Sequence, residues 1–193
     1  MSDRPRLPHL KPSEMTAEQK SFYDDVIENM GCPDSPHIWM LEEGQLNGPF
    51  TSMFHYPEIG YLLYKLQLKI VKQNIIPKKI IEVFILTIVS ELEAAYGMYA
   101  HSLLGEDAGV DKEICEAILQ KITPDISDPQ TLAAYKLAKQ LNIPGVVPDN
   151  IYVTSIGFFG EAGYNILINT AAFFKYIGTL MNAYDEPVPI TNI

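Results

Sequence analysis

The sequence predicts an all-α domain of six to eight helices, and three observations carry that expectation. Apolar residues recur at helical spacing through most of the chain. No alternation of apolar and polar residues persists long enough to make a strand. Proline, glycine and short polar residues punctuate the periodic segments at the positions where helices start and stop. At 193 residues the chain suits one domain, read as 15–193, behind an extended arm at 1–14. That arm carries Pro5, Pro8 and Pro12 and has Leu7 and Leu10 to tie it down.

The elements follow in order. Thr16 and Gln19 have capping-box spacing, and Phe22, Val26 and Met30 continue the helix they open, with Gly31 ending it. Residues 32–49 form a loop with its own tryptophan, so Trp39 is either a pocket wall or a plug in the core. Gly48 and Pro49 set a turn, and Pro57 starts a helix over 57–73 with Ile59, Leu62, Leu63, Leu66 and Ile70 as its buried face. His55 lies before that helix start, as a neutral hydrogen-bonding group or as a surface loop residue.

The longest apolar pattern runs from Lys78 to Leu104. The Ser90-Leu92-Glu93 stretch has the S-x-x-E form of a capping box, which divides the pattern into helices over 78–89 and 91–104. Gly105 and Gly109 end the second. Asp111 caps a helix over 112–121 that turns Ile114, Cys115 and Ile118 inward, and Asp128 opens another over 130–141. Asp149 caps a helix to Phe159, and Gly160 to Gly163 interrupt it. The last helix, 164–184, is apolar nearly all round, as a helix buried in a core or in an oligomer would be.

Composition narrows the function. A formal charge of −10 and a pI near 4.8 argue against nucleic acid and anionic membrane as partners. No apolar run reaches membrane-spanning length, and the N-terminus lacks a secretory apolar region, so a cytoplasmic protein is expected. Two distant cysteines, Cys32 and Cys115, make neither a disulfide framework nor a CxxC motif. No Gly-rich phosphate loop and no metal-ligand spacing occur, so neither cofactor nor metal is expected. The chemistry-bearing residues collect in the long apolar pattern: Glu82, Glu93 and His101, with Tyr96 and Tyr99 beside the histidine. His101 reads either as a general acid/base or as a core histidine bonded to a carbonyl. Glu82 is nineteen positions from it, so only the fold can join them. Glu93 shares the helix face of His101 at two turns' distance, unless it is spent in the capping box.

The segments NGPF, HYPEIG, the long run from Pro77 to Ile118 and FFGEAGYNILINTAAFF, in that order and spacing, resemble the carboxymuconolactone decarboxylase-like family, over about Gly48 to Pro189. The resemblance implies the all-α fold shared with the alkylhydroperoxidase AhpD, and a homo-oligomer, trimer or hexamer. It places the family's glutamate on Glu82 and its histidine on His101. It places the Tyr-Glu-Trp triplet on Tyr96, Gly97 and Met98, so the tyrosine is kept while the second glutamate and the tryptophan are not. The Cys-x-x-Cys pair of the redox branch falls on Ala94 and Gly97, which removes the thiols that a peroxidase needs.

What this implies is a cofactor-free enzyme acting by proton transfer on a small organic acid, lactone or polyketide-like metabolite of secondary metabolism. Decarboxylation comes first, then isomerisation, dehydration or cyclisation, with His101 as acid/base and Glu82 orienting it or the substrate. Glu93, Tyr96, Gly97, Met98, Trp39 and His55 are the expected substrate-binding residues, and Phe50, Tyr152 and Glu161 are weaker candidates. Gly97 and Met98 remove bulk, which predicts a larger and more apolar pocket. The competing reading is a non-catalytic binding or scaffold protein on the same fold; a thiol peroxidase ranks third.

Overall fold

The computed structural model describes residues 6–30 and 34–189. Among the described residues the chain forms a short 3₁₀ turn, Pro12–Glu14, and eight α-helices: α1 Ala17–Met30, α2 Pro49–His55, α3 Pro57–Gln73, α4 Lys78–Glu91, α5 Ala95–Asp107, α6 Lys112–Leu119, α7 Pro129–Leu141 and α8 Asp149–Ala183. Among the described residues, β pairing is limited to an isolated antiparallel bridge between Met40 and Leu46.

α4 is the axle of the domain, packing against α5, α6, α7 and α8. Its apolar residues surround the helix, so both sides are buried. The row Ile80, Phe84, Ile88 meets Ala134, Leu137 and Ala138 of α7 and Leu167 and Ala171 of α8. The other side, with Val83, Leu86 and Val89, joins a larger core with Phe22 and Val26 of α1, Phe54 of α2 and Tyr64 of α3.

Helix starts follow the sequence where side chains can cap. Thr16 and Gln19 form the reciprocal box: the Gln19 N–H donates to Thr16 Oγ1 at 3.3 Å, and the Thr16 N–H to Gln19 Oε1 at 2.9 Å. Asp128 accepts from the Thr131 N–H at 2.8 Å. Asp111 precedes α6 without a side-chain cap bond, and Pro148, not Asp149, stands at the N-cap of α8. The end of α1 expected at Gly31 lies outside the described residues.

Four further expectations are corrected. The break in the long apolar pattern lies at Leu92–Ala94 instead of Ser90, and the Ser90/Glu93 capping box does not form. Ser90 stays in α4, buried, and its hydroxyl donates to the Ile118 carbonyl at 2.8 Å. Glu93 makes the turn itself, in the left-handed region at φ 53°. α5 runs through Gly105, whose lack of a side chain lets α5 pass close to Cys115. Gly48-Pro49 opens the helix α2 where a turn was expected, burying Phe50, Met53 and Phe54. On α3 the expected stripe is only partly inward: Leu63 and Ile70 pack against the core, but Ile59, Leu62 and Leu66 are exposed, and the buried residues are Gly60, Tyr64 and Leu68. Gly60 allows this, because any Cβ there would sit 2.2 Å from the Met53 carbonyl oxygen, and so the Gly60 face packs against α2.

α8 is interrupted at Gly160, where φ 64° and ψ 177° leave the helical region. Its second part is buried along one row, Leu167, Thr170, Ala171, Phe173, Ile177 and Met181, and is solvent-facing on the other side. No helix among the described residues is long and apolar enough to cross a membrane.

Candidate active site

The tyrosines of α5 build the site. The Tyr96 hydroxyl donates toward Asn47 Oδ1 at 2.7 Å and the Ile38 carbonyl at 3.1 Å. The Ile38 N–H in turn donates to the Tyr99 hydroxyl at 3.0 Å. Two phenols one turn apart therefore hold both backbone groups of one loop residue. The loop is further closed by Asn47 N–H to the Trp39 carbonyl at 3.1 Å. This pins the segment between α1 and α2 across the mouth of α5. Gly48 makes the approach possible: its φ is 66°, and a Cβ there would stand 2.2 Å from the Tyr96 ring.

Beneath the loop lies a cavity of about 180 Å³, lined by His37, Trp39 and Asn47 of the loop, Phe50 of α2, Gln67 of α3, Tyr96, Gly97 and His101 of α5, and Phe174, Ile177 and Met181 of α8. The His101 side chain is 14% exposed, and its Nδ1 lies 2.8 Å from Oε2 of Glu82, whose side chain is 9% exposed. A carboxylate only accepts, so Nδ1 carries the proton and donates it. The other ring nitrogen, Nε2, is left as the basic one on a cavity-lining residue. The imidazole also packs edge-on against Phe174, with ring centroids 4.9 Å apart.

A second imidazole faces the same cavity. His37 Nδ1 is hydrogen-bonded to Ser35 Oγ at 2.8 Å. Burial, then the nearness of His101, push its pKa down to about 4, against an opposing pull from Glu82. His37 is thus neutral at physiological pH. Burial, with Glu186 and Tyr99 adding to it, pushes the Tyr96 phenol up, so it stays a protonated donor. Asn47 is 1% exposed, and with its Oδ1 taken by Tyr96 its amide nitrogen is left without a partner. The Gln67 side-chain oxygen is in the same position. Unpaired buried polar atoms are costly in a folded chain and draw attention to a ligand that would satisfy them.

The fold brings together Glu82, His101, Tyr96, Gly97 and Trp39, and Phe50 of the weaker candidates. The others lie elsewhere. Glu93 is exposed and paired with Lys121 across the turn that ends α4, so it does not replace the family's second glutamate. Met98 packs on the core without lining the cavity. His55 closes α2 and bonds the Pro8 carbonyl at 2.8 Å, holding the N-terminal segment. Tyr152 stacks edge-on with Tyr164 away from the cavity, and Glu161 is exposed. Gly97 lines the cavity, yet a side chain there would meet Val89 and Met181, so its absence brings α5 close to α4 and α8 rather than adding open space.

Cys115 is buried, and burial raises its thiol to about 11, so it is an inert core residue. Cys32 lies outside the described residues.

His37 and Gln67 carried no sequence signal, since neither sits in a recognisable motif, whereas Phe174 closes the FFGEAGYNILINTAAFF segment. Asn47 had one, because it opens the NGPF segment.

The comparisons with known proteins agree on the fold. No family model matches the sequence, and no curated protein matches it. Among solved structures, the chain is similar to an uncharacterized peroxidase-related protein with an alkylhydroperoxidase AhpD core from Ralstonia eutropha JMP134, with TM-score 0.76 and 12% identity over 98% of this chain and 94% of that one. It is similar to the debrominase Bmp8, with TM-score 0.68 and 14% identity over 90% and 87% of the two chains. A cysteine-to-alanine variant of Bmp8 in complex with 2,3,4-tribromopyrrole matches with TM-score 0.73 and 15% identity over 98% and 94%. The AhpD-like fold expected from the sequence is therefore the fold of this chain.

Proposed function

We propose that this chain is a cofactor-free acid–base enzyme acting on a small organic acid, lactone or related carbonyl compound, with decarboxylation as the first reaction to test and isomerisation, dehydration or cyclisation next. The observation that carries the reading is the Glu82–His101 pair, buried together and set on a cavity wall. In a decarboxylation, the C–C bond to the departing carboxylate breaks as CO₂ leaves. Its electron pair passes into the adjacent carbonyl to form an enolate, and protonated His101 returns a proton from Nε2 to carbon. In an isomerisation, Nε2 of neutral His101 takes the proton from one carbon and delivers it to another. Glu82 holds Nδ1 throughout and balances the charge of the imidazolium. The unpaired Asn47 amide nitrogen suits a donor to the substrate carbonyl oxygen, where negative charge develops. Neutral His37 lines the same cavity as a hydrogen-bonding group for the ligand.

A protein of the same fold binds a small bromopyrrole, which supports a small-molecule ligand for the cavity. Thiol chemistry of a peroxidase or dehalogenase kind is not proposed, since Ala94 and Gly97 stand where the cysteine pair would. The competing reading is a binding protein, favoured by the loss of the second family glutamate at Gly97 and by the unpaired amide groups, which serve ligand capture as well as catalysis.

The test is a set of carbonyl acids and lactones followed by NMR in D₂O for CO₂ loss or deuterium incorporation. His101→Ala is expected to lower turnover at least about a hundredfold while the urea midpoint stays close to that of the parent. Turnover that survives in a folded His101→Ala protein would sink the proposal, and binding without turnover would favour the binding protein.

A further inference from the structure

We infer that a second, apolar chamber behind His101 holds the hydrocarbon part of the ligand whose polar end meets His101. The inference deepens the function proposed above and rests on the same site.

The first cavity is small for its task. At about 180 Å³ it falls below the roughly 300–1,000 Å³ of ordinary ligand pockets. A second cavity of about 360 Å³ lies between α3, α4 and α8. Three residues line both: Gln67, His101 and Phe174. The two chambers thus share lining residues, and one of these is the proposed catalytic imidazole. Glu82 stands on the wall of the second chamber, so the Glu82–His101 pair is reached from both sides. Together the two volumes come well inside the ordinary range.

The lining sets the chemical class. Ile70, Ile81, Ile85, Ile166 and Phe173 make the second chamber mainly aliphatic. Val71 and Ile75 continue this lining to its rim, where both are exposed. Two buried polar atoms without a partner interrupt it, Gln67 Oε1 and Thr170 Oγ1. Among apolar neighbours such atoms are satisfied by a polar group of a ligand or by water. The ligand that fits carries a carbonyl or carboxylate at one end, for Asn47 and His101. It carries an alkyl or alicyclic body of several carbons for the second chamber. A hydroxyl near the junction would meet Gln67 or Thr170. A molecule of carbonyl head alone would leave the larger chamber empty.

The experiment measures affinity against tail length with γ-lactones that share one head: γ-butyrolactone, γ-octalactone and γ-dodecalactone. Binding is read from the His101 ring resonances, assigned by their loss in His101→Ala. Each methylene entering the chamber is expected to tighten binding about fourfold, hence on the order of a hundredfold from γ-butyrolactone to γ-octalactone, with a plateau once the chamber is full. Ile81→Phe, which fills the interior, and Ile75→Trp, which narrows the exposed rim, are each expected to flatten this dependence and leave γ-butyrolactone binding unchanged. Affinity independent of tail length in the parent protein overturns the inference, and is also the result expected if a neighbouring copy of the chain fills the chamber. Tail-length dependence that persists in both folded variants overturns it as well. These lactones need not react, so the two proposals fail separately. Tail-dependent binding without turnover of any acid or lactone keeps the chamber and removes the enzyme; turnover with tail-independent affinity does the reverse.

Discussion

Glu82 and His101 are nineteen residues apart on consecutive helices, and their side chains meet at 2.8 Å because α4 and α5 fold back on each other at Glu93. Replacing Glu82 by Gln keeps the shape and an oxygen that can accept from Nδ1, but removes the charge facing the imidazolium. We expect turnover to fall by about 10²–10⁴-fold with the fold intact, read as kcat beside a far-ultraviolet circular dichroism melt. Unchanged kcat would show that the pair is structural. His37 makes a prediction about pH. Its pKa is about 6.5 in an unfolded chain and about 4 in the folded one. Between those values the unfolded state binds more protons, so stability falls as pH drops from about 6.5 toward 4 and is fully present above that window. Because the side chain is partly exposed, the expected loss is discounted to about 1–2 kcal/mol between pH 7 and 5. Urea titrations at several pH values should show it, and His37→Gln should flatten that part of the profile. An equal slope in both proteins would mean that other groups carry it.

At the scale of elements, the sequence was most legible where one residue decides. The Thr16/Gln19 box, Pro57 at the start of α3, the Asp128 cap and the Gly160 break all appear as expected, because each acts on neighbouring backbone. Ser90/Glu93 has the same local pattern and fails, since α4 continues through Ser90 to bury its hydroxyl against the Ile118 carbonyl. The α3 stripe fails for a similar reason: Ile59, Leu62 and Leu66 satisfy a helical period, but only the close approach at Gly60 decides which face turns inward. The site divides in the same way. Glu82 and His101 could be named from family position, whereas His37, Gln67 and Phe174 enter by loop closure and helix packing that no spacing encodes. Gly160 supplies the element-scale prediction. Nothing lies within 4 Å of a Cβ built there, so Gly160→Ala meets no clash and its cost is that of the backbone conformation alone. That conformation, φ 64° with ψ 177°, belongs to a region that is nearly glycine-only. The expected loss is about 1–3 kcal/mol in urea, with a shift in the part of α8 that carries Phe174, Ile177 and Met181 onto the cavity. A neutral substitution would mean that α8 straightens without cost.

For the molecule as a whole, the segment before α1 and the segment after α8 are tied together beside the loop that carries Asn47. Glu186 is buried and accepts from the Gly48 N–H at 2.8 Å and the Thr51 hydroxyl at 3.0 Å, with His9 Nε2 at 2.8 Å. Arg6 reaches the Ala183 and Tyr184 carbonyls at 2.7 and 3.1 Å. The segment before α1 is thereby bonded to the end of α8 and to the loop that carries Asn47. What these contacts leave uncovered is the outer face of α3. Ile59, Leu62 and Leu66 repeat at i, i+3 and i+7, and each exposes much of its side chain, Leu62 70% of it. Such a stripe on a charged, acidic chain is apolar area that association would bury. A second copy of this chain is the occupant that the family resemblance implies. Sedimentation is therefore expected to give a mass above that of one chain. Leu62→Lys places a charge at the centre of the stripe without touching the core, so it should shift that mass downward while the melting temperature of the fold changes little. A parent protein that sediments as a monomer at micromolar concentration, or a Leu62→Lys variant with undiminished mass, would remove α3 from the interface.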